Sequence, residues 1–267
     1  MGKIEIKNLS AEYADKNGKF TVLKDLSFNI QAGEFVSIIG SSGCGKSTLL
    51  GVLQGLIAPS AGGAYIDGEK ITAPGHNRAV VFQHYSLFPW MTVQKNIMFG
   101  LKQVRDLSRA ECSEIALGFI EKVGLKGFEH KYPFQLSGGM QQRAAIARAM
   151  ALDSDILLMD EPFGAIDAKN RSKMQELLLS LWDNEKKAKT VVFVTHDIDE
   201  AIFLSDRIIM LTNSLGQIAA EFEVPFPRPR VHSTIRETPG YVSLRNKLMS
   251  LFYDENPGAA AGMEYTI

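Results

Sequence analysis

Short runs of β-branched and aromatic residues, each closed by Gly, Asn or Asp, fill the first third of the chain and predict strands near 3–9, 20–30, 34–39, 64–66 and 79–82. Between Thr92 and Lys131 the period becomes helical: Ile97, Leu101 and Val104, then Ile115, Leu117, Phe119 and Ile120, are separated by polar Arg105-Asp106-Leu107-Ser108. This stretch reads as a helical insertion. After it the pattern predicts a helix through Gln141 to Met150, a buried strand Ile156–Met159, a long helix near 168–184 and a strand from Thr190 to Val194. Strands alternating with helices imply an α/β fold with a parallel central sheet. Tyr241, Leu244, Leu248 and Leu251 fall on one stripe of a terminal helix, and packing on its own domain is the simplest use of that stripe. The chain has no internal repeat, and its one low-complexity segment is Pro225-Phe226-Pro227-Arg228-Pro229-Arg230.

With 267 residues, 45% hydrophobic and 22% charged, the chain can bury a core without covalent staples. Its two cysteines and the lack of a charged-then-apolar leader point to a reducing, cytoplasmic setting. No apolar run approaches the roughly 20 residues that span a bilayer, so a membrane role has to come through a partner. A net charge of −1 argues against nucleic acid as the main ligand, because phosphate-backbone binding needs a basic surface.

Chemistry concentrates in a few stretches. Gly40-Ser41-Ser42-Gly43-Cys44-Gly45-Lys46-Ser47 has the spacing that wraps backbone N–H groups around a polyphosphate, with Lys46 for the β and γ phosphates and Ser47 for Mg²⁺. It follows the strand-like Glu34–Ile39 and precedes Thr48–Leu53, where a helix from about Lys46 would aim its positive end at the phosphates. Cys44 reads as a tolerated small residue whose backbone matters more than its sulfur. Ile156–Met159 delivers Asp160 and Glu161 at a strand's carboxyl end, where open α/β sheets place ligands. Asp160 suits metal support, and Glu161 suits polarising a water that attacks the γ-phosphate. Gln83 and His196 also follow strands. Ser137-Gly138-Gly139 offers a hydroxyl and bare N–H groups at the head of a helix, a second anion cradle. A two-fold dimer, in which the second cradle of one copy closes over the nucleotide of the other, accounts for both.

From Lys3 to about Asp206 the chain resembles the nucleotide-binding subunits of ATP-binding cassette transporters. Gly40–Ser47 looks like the Walker A loop, Leu136–Arg143 the signature motif, Ile156–Glu161 the Walker B strand, Gln83 the Q-loop and His196 the switch histidine. Tyr13 matches the aromatic that stacks on adenine. The resemblance implies a P-loop NTPase with a RecA-like core, an antiparallel β-subdomain and an inserted helical subdomain. The expected division is 1–91 for the β-subdomain and first part of the core, 92–150 for the helical subdomain with the signature, 151–225 for the rest of the core and 226–267 for a tail with a short helix.

It also implies ATP and Mg²⁺ as cofactors. Nucleotide contacts would come from Tyr13, Gly40, Ser41, Ser42, Gly43, Cys44, Gly45, Lys46, Ser47, Thr48, Gln83, Ser137, Gly138, Gly139, Gln141 and Asp167. Metal contacts would come from Ser47, Gln83 and Asp160, and catalysis from Glu161, His196, Gln83 and Lys46. Gly164-Ala165-Ile166-Asp167 stands where many members have Ser-Ala-Leu-Asp, which puts Gly164's share of a cross-dimer contact in doubt. Leu87–Val93, Glu161–Ala165, Thr195–Ala201 and Pro227–Arg230 look like nitrate, sulfonate and taurine importers, with bicarbonate importers close by. Residues from Tyr85 to Phe99 would then receive a permease helix, with Phe88 and Trp90 as anchors. The expected assembly is a dimer of this chain or of this chain and a related one, with permease subunits and a solute-binding protein, at the cytoplasmic face of the inner membrane. An exporter subunit and a non-transport cassette ATPase stay open as alternatives.

Overall fold

The structure, a computed structural model, describes residues 2–15, 18–83, 86–164, 166–183, 188–212 and 215–254. In chain order the elements are β1 (Ile4–Asp15), β2 (Gly18–Ile30), β3 (Phe35–Ile39), α1 (Lys46–Gln54), β4 (Ala61–Ile66), β5 (Glu69–Lys70) and β6 (Arg78–Val81). Then come α2 (Val93–Val104), α3 (Arg109–Lys122), α4 (Gly138–Ala151), β7 (Ile156–Asp160) and α5 (Ala168–Asp183). The last are β8 (Thr190–Thr195), α6 (Ile198–Leu204), β9 (Arg207–Leu211), β10 (Ile218–Glu223) and α7 (Tyr241–Asp254). They form two compact units, Met1–Gly75 with Thr190–Ile267, and His76–Lys189.

In the first unit β1 lies antiparallel between β2 and β4, with β5 beyond β4. Along β2, Leu23, Leu26, Phe28 and Ile30 are buried while most of their neighbours face water, the alternation of a sheet with one wet face. A second set is parallel, with β3 between β8 and β9 and β10 antiparallel on β9. Every residue of β3 and β8 is buried, which is why these strands read as nearly continuous apolar runs, with Ser37 the one polar residue inside β3. Ile39 pairs with Thr195, so Gly40 and His196 leave the same edge.

In the second unit β6 and β7 run parallel, and α2, α3 and α4 pack on one another. Thr92 caps α2. Ser108 and Glu111 form a reciprocal capping box that starts α3. Val81 pairs with Met159, so Gln83 and Glu161, each two residues further on, leave a common edge.

The expected strands and helices are present, most of them longer than the pattern suggested; α4, for instance, starts at Gly138. Among the described residues the additional strands and α-helix are β5, α6, β9 and β10, with short 3-10 turns at Pro133–Gln135 and Ile235–Glu237. Tyr241 and Leu248 of the terminal stripe are buried, and α7 packs on α6.

Candidate functional site

The loop from Gly40 to Gly45 connects β3 to α1 and closes on itself. Lys46, only 6% exposed, donates from Nζ to the carbonyls of Gly40 at 2.7 Å and Ser41 at 2.8 Å. Gly45, which caps α1, has φ +97°, and a Cβ there would stand 2.4 Å from Leu23 Cδ2. Only glycine combines that backbone with that approach. Gly43 is also left-handed, at φ +87°. Cys44 differs from expectation. Its side chain is buried, and its Sγ sits 3.8 Å from Lys46 Nζ and 2.5 Å from where a Cβ on Gly40 would fall. The sulfur fills the interior of the loop, and burial pushes its thiol pKa up despite the neighbouring Lys46 charge.

Around this loop, within the same unit, stand Tyr13, Thr48 and His196. Tyr13 on β1 is 38% exposed, its ring stacks on Phe20 of β2 at 5.9 Å, and its hydroxyl lies 3.4 Å from Thr48 Oγ1. Ser47 and Thr48 open α1, with Ser47 exposed. His196 is exposed at the end of β8. With Ser41 and Ser42 it lines a cavity of about 430 Å³ whose other wall includes Arg245, Phe252 and Tyr253.

The second unit holds the remaining candidates. A Cβ on Gly164 would stand 3.8 Å from Gln83 Nε2 and 3.9 Å from Glu161 Oε2, so Gln83, Glu161 and Gly164 form one cluster. Glu161 has φ +39°, a costly conformation for a residue with a side chain, of the kind that concentrates at functional sites. Asp160 is half-buried at the end of β7. Ser137 caps α4, its Oγ accepting from the Met140 N–H at 3.4 Å, and Gln141 Nε2 donates to the Leu136 carbonyl at 3.2 Å. Gly138 is half-buried, and nothing lies within 4 Å of where a Gly139 Cβ would be. Ser137 and Gly139 line a cavity of about 400 Å³ with Lys122, Arg143, Asn170 and Lys173. Asp167 accepts from both the backbone and the side-chain N–H of Asn170, at 3.1 and 2.7 Å. Tyr85 and Ala165 lie outside the described residues.

A family profile described as ABC transporter matches residues 23–164. The chain belongs to the ABC transporter family. It is 49% identical over 240 residues to the nitrate import ATP-binding protein NrtC of Synechococcus elongatus, covering 89% of this chain but 36% of that one. The chain therefore spans about a third of that relative. It is 42% identical to the bicarbonate transport ATP-binding protein CmpD of a Synechocystis species, covering 94% of this chain and 89% of that one. The dimeric ATP-binding cassette MJ0796, in a post-hydrolysis state bound to ADP and Pi, superposes with a TM-score of 0.74 at 36% identity, covering 84% of this chain and all of the other. The fold is that of an ABC ATPase cassette.

Sequence reasoning missed what holds the segment that follows His196 in this ABC cassette. Asp197 caps α6 by accepting from the Glu200 N–H at 3.0 Å, and Thr195 Oγ1 donates to Glu200 Oε2 at 2.5 Å. The Asp197-x-x-Glu200 spacing of a capping box was a readable signal. At the other end Arg230, 7% exposed, donates to the carbonyls of Ile202, Phe203 and Ser205, while Arg228 pairs with Asp206 and donates to the Leu204 carbonyl. The Pro-Arg-Pro-Arg segment is thus a C-cap for α6. α7 adds Tyr241 and Arg245, both bonded to Asp199 at 2.7 Å.

The residues present fit a nucleotide and a divalent cation. A glycine-built loop with an enclosed ammonium suits a polyphosphate. Ser47, exposed, and Asp160, half-buried, offer oxygen donors of the kind a hard divalent cation takes.

Proposed function

We propose that this chain is the ATP-hydrolysing subunit that energises a membrane importer of a small anion of the nitrate, bicarbonate, sulfonate or taurine class. The carrying observation is a self-closed glycine loop with a buried lysine and an open helix head at α4 on one chain, which this reading takes as two phosphate cradles. In this reading Lys46 and the loop N–H groups of Ser42 to Ser47 neutralise charge developing on the γ-phosphate. Glu161 takes a proton from the attacking water, Gln83 positions that water, and His196 keeps phosphate and base in register. Tyr13 stacks on the nucleobase. Ser137 and Gly139, flanked by Gly138 and Gln141, complete the site from a second ATPase subunit, with Asp167 at that contact.

Mg²⁺ would be held by Ser47 and Asp160 with Gln83, and when bound it offsets phosphate charge. Among the described residues no helix is long and apolar enough to cross a membrane. In this reading the subunit works at the cytoplasmic face through permease subunits fed by a solute-binding protein. Phe88, half-buried, Trp90, 69% exposed, and Phe99 form an aromatic cluster suited to that permease contact.

Two measurements test this reading. Glu161→Gln should slow ATP turnover by roughly 10²–10⁴, the usual worth of a general base, with ATP still driving dimerisation; near-normal turnover removes Glu161 from that role. A pull-down from detergent-solubilised host membranes should recover a multi-span permease, whereas recovery of soluble nucleic-acid or ribosomal proteins alone overturns the transport assignment.

A further inference from the structure

We propose that Arg148 is a positioning residue that locks the segment from Ser86 to Thr92, and with it the exposed aromatic cluster, to the helix headed by Ser137, so that contact at the cluster and closure at Ser137 move one body. The inference rests on the functional reading above and adds a residue that reading does not use. Arg148 lies in the last turn of α4, about 16 Å along the helix from Ser137 at 1.5 Å per residue.

Its guanidinium reaches the loop with two parallel bonds, Nη1 to the Ser86 carbonyl at 2.9 Å and Nη2 to Ser86 Oγ at 2.8 Å. The same group sits 5.8 Å from the centre of the Phe88 ring, within cation–π range. Ser86 has φ +45°, a conformation that needs support from its surroundings. Both partners on Ser86 are neutral, so what the site uses is the planar fork, which an ammonium cannot reproduce.

The far side of the loop is held equally firmly. Asn96, fully buried on α2, accepts from the Phe88 N–H at 2.8 Å and donates to the carbonyls of Phe88, Met91 and Thr92. Gly100 of α2 approaches so closely that a Cβ there would lie 2.9 Å from Leu152 Cδ2 and 3.8 Å from Arg148 Cγ. The loop between Ser86 and Thr92 is therefore clamped between α4 and α2, and Arg148 is the α4 half of the clamp.

Trp90, 69% exposed and 5.5 Å from Phe88, reports on this loop. The chain's other tryptophan, Trp182, is buried, and a Trp90→Phe control subtracts its emission. In the full chain carrying Glu161→Gln, ATP with Mg²⁺ should drive dimerisation by size exclusion and shift Trp90 emission and its quenching by acrylamide. Adding Arg148→Met or Arg148→Lys should leave ATP affinity within about threefold by equilibrium dialysis and abolish the Trp90 shift.

If the arginine variants do not fold, Ser86→Ala with Phe88→Leu removes the partners instead and should give the same loss. A Trp90 shift retained in these variants overturns the proposal, as does an ATP-driven dimer of the parent in which Trp90 does not respond. A parent that fails to bind ATP overturns the functional reading itself, and this inference with it.

Discussion

The two proposed anion cradles of this chain are built in opposite ways. The loop from Gly40 to Gly45 is finished without a ligand: its lysine is buried and held by its own carbonyls, its sulfur is packed inside, and Gly45 and Gly40 are forced by contacts with Leu23 and Cys44. The cradle at Ser137–Gly139 is left open, with Ser137 exposed and no atom within 4 Å of the missing Gly139 Cβ. A site that must hold a ligand through many conformations benefits from preorganisation. A site that must meet one brought by another body needs room. The difference is what the proposed division of labour requires, with the first cradle binding and the second closing.

Alanine at the two glycines separates the cradles most sharply. Gly45→Ala forces a β-carbon into a left-handed backbone and within 2.4 Å of Leu23 Cδ2, and strain and overpacking each cost roughly 1–3 kcal/mol. We expect ATP affinity to fall at least about 100-fold, with a lower melting temperature. Gly139→Ala meets open space inside a helix, where alanine is favoured over glycine by roughly 0.5–1 kcal/mol. Its melting temperature should hold or rise by a few degrees, with monomer ATP binding unchanged. Equal loss of ATP affinity in both variants would erase the distinction.

Ser137→Arg sharpens the comparison on the functional side. It fills the open cradle with a long cation while leaving the first untouched, so ATP-driven dimerisation in the Glu161→Gln background should disappear and monomer ATP affinity stay within about twofold. The lost helix cap costs about 1 kcal/mol of stability, which a thermal melt reads separately. Lost ATP binding in the monomer would argue against completion by a second subunit.

The first cradle was legible in the sequence because its parts are eight neighbours in the chain, and the strand before it and the helix after it are dictated by burial. The same holds for β7 and β8, whose uninterrupted apolar runs match strands buried on both faces. β9 carries an equally clear run, Arg207-Ile208-Ile209-Met210-Leu211, that went unread. β10 mixes half-buried and exposed residues without alternation, and α6 has seven residues, too few to show a helical period. Contacts of long sequence separation left no pattern at all. Arg230 bonds carbonyls 25–28 positions away, and carbonyls are invisible in a sequence, so its segment read as low complexity. Arg148 and Ser86 are 62 positions apart, and nothing local marks either one.

The smallest expected effect tests what anchors α6, the helix that follows His196 and belongs to neither cradle. Asp199, on the first turn of α6, is pushed up by burial, but its bonds to Arg245 and Tyr241 outweigh that and hold its carboxyl below the ordinary range. A depressed native pKa means the ionised form is favoured by folding. Its stabilisation is therefore present above the unfolded value near ~3.9 and is lost as pH falls through the lower native one. Asp199 is partly exposed, so solvent screening limits the pair to about 1 kcal/mol, or roughly 2–4 °C in a chain of this size. Asp199→Asn should melt that much lower than the parent at pH 7, and the gap should close on acidification below pH ~3.9. A gap that persists unchanged in acid would mean that the loss comes from packing of α7 on α6 and not from the charge on Asp199.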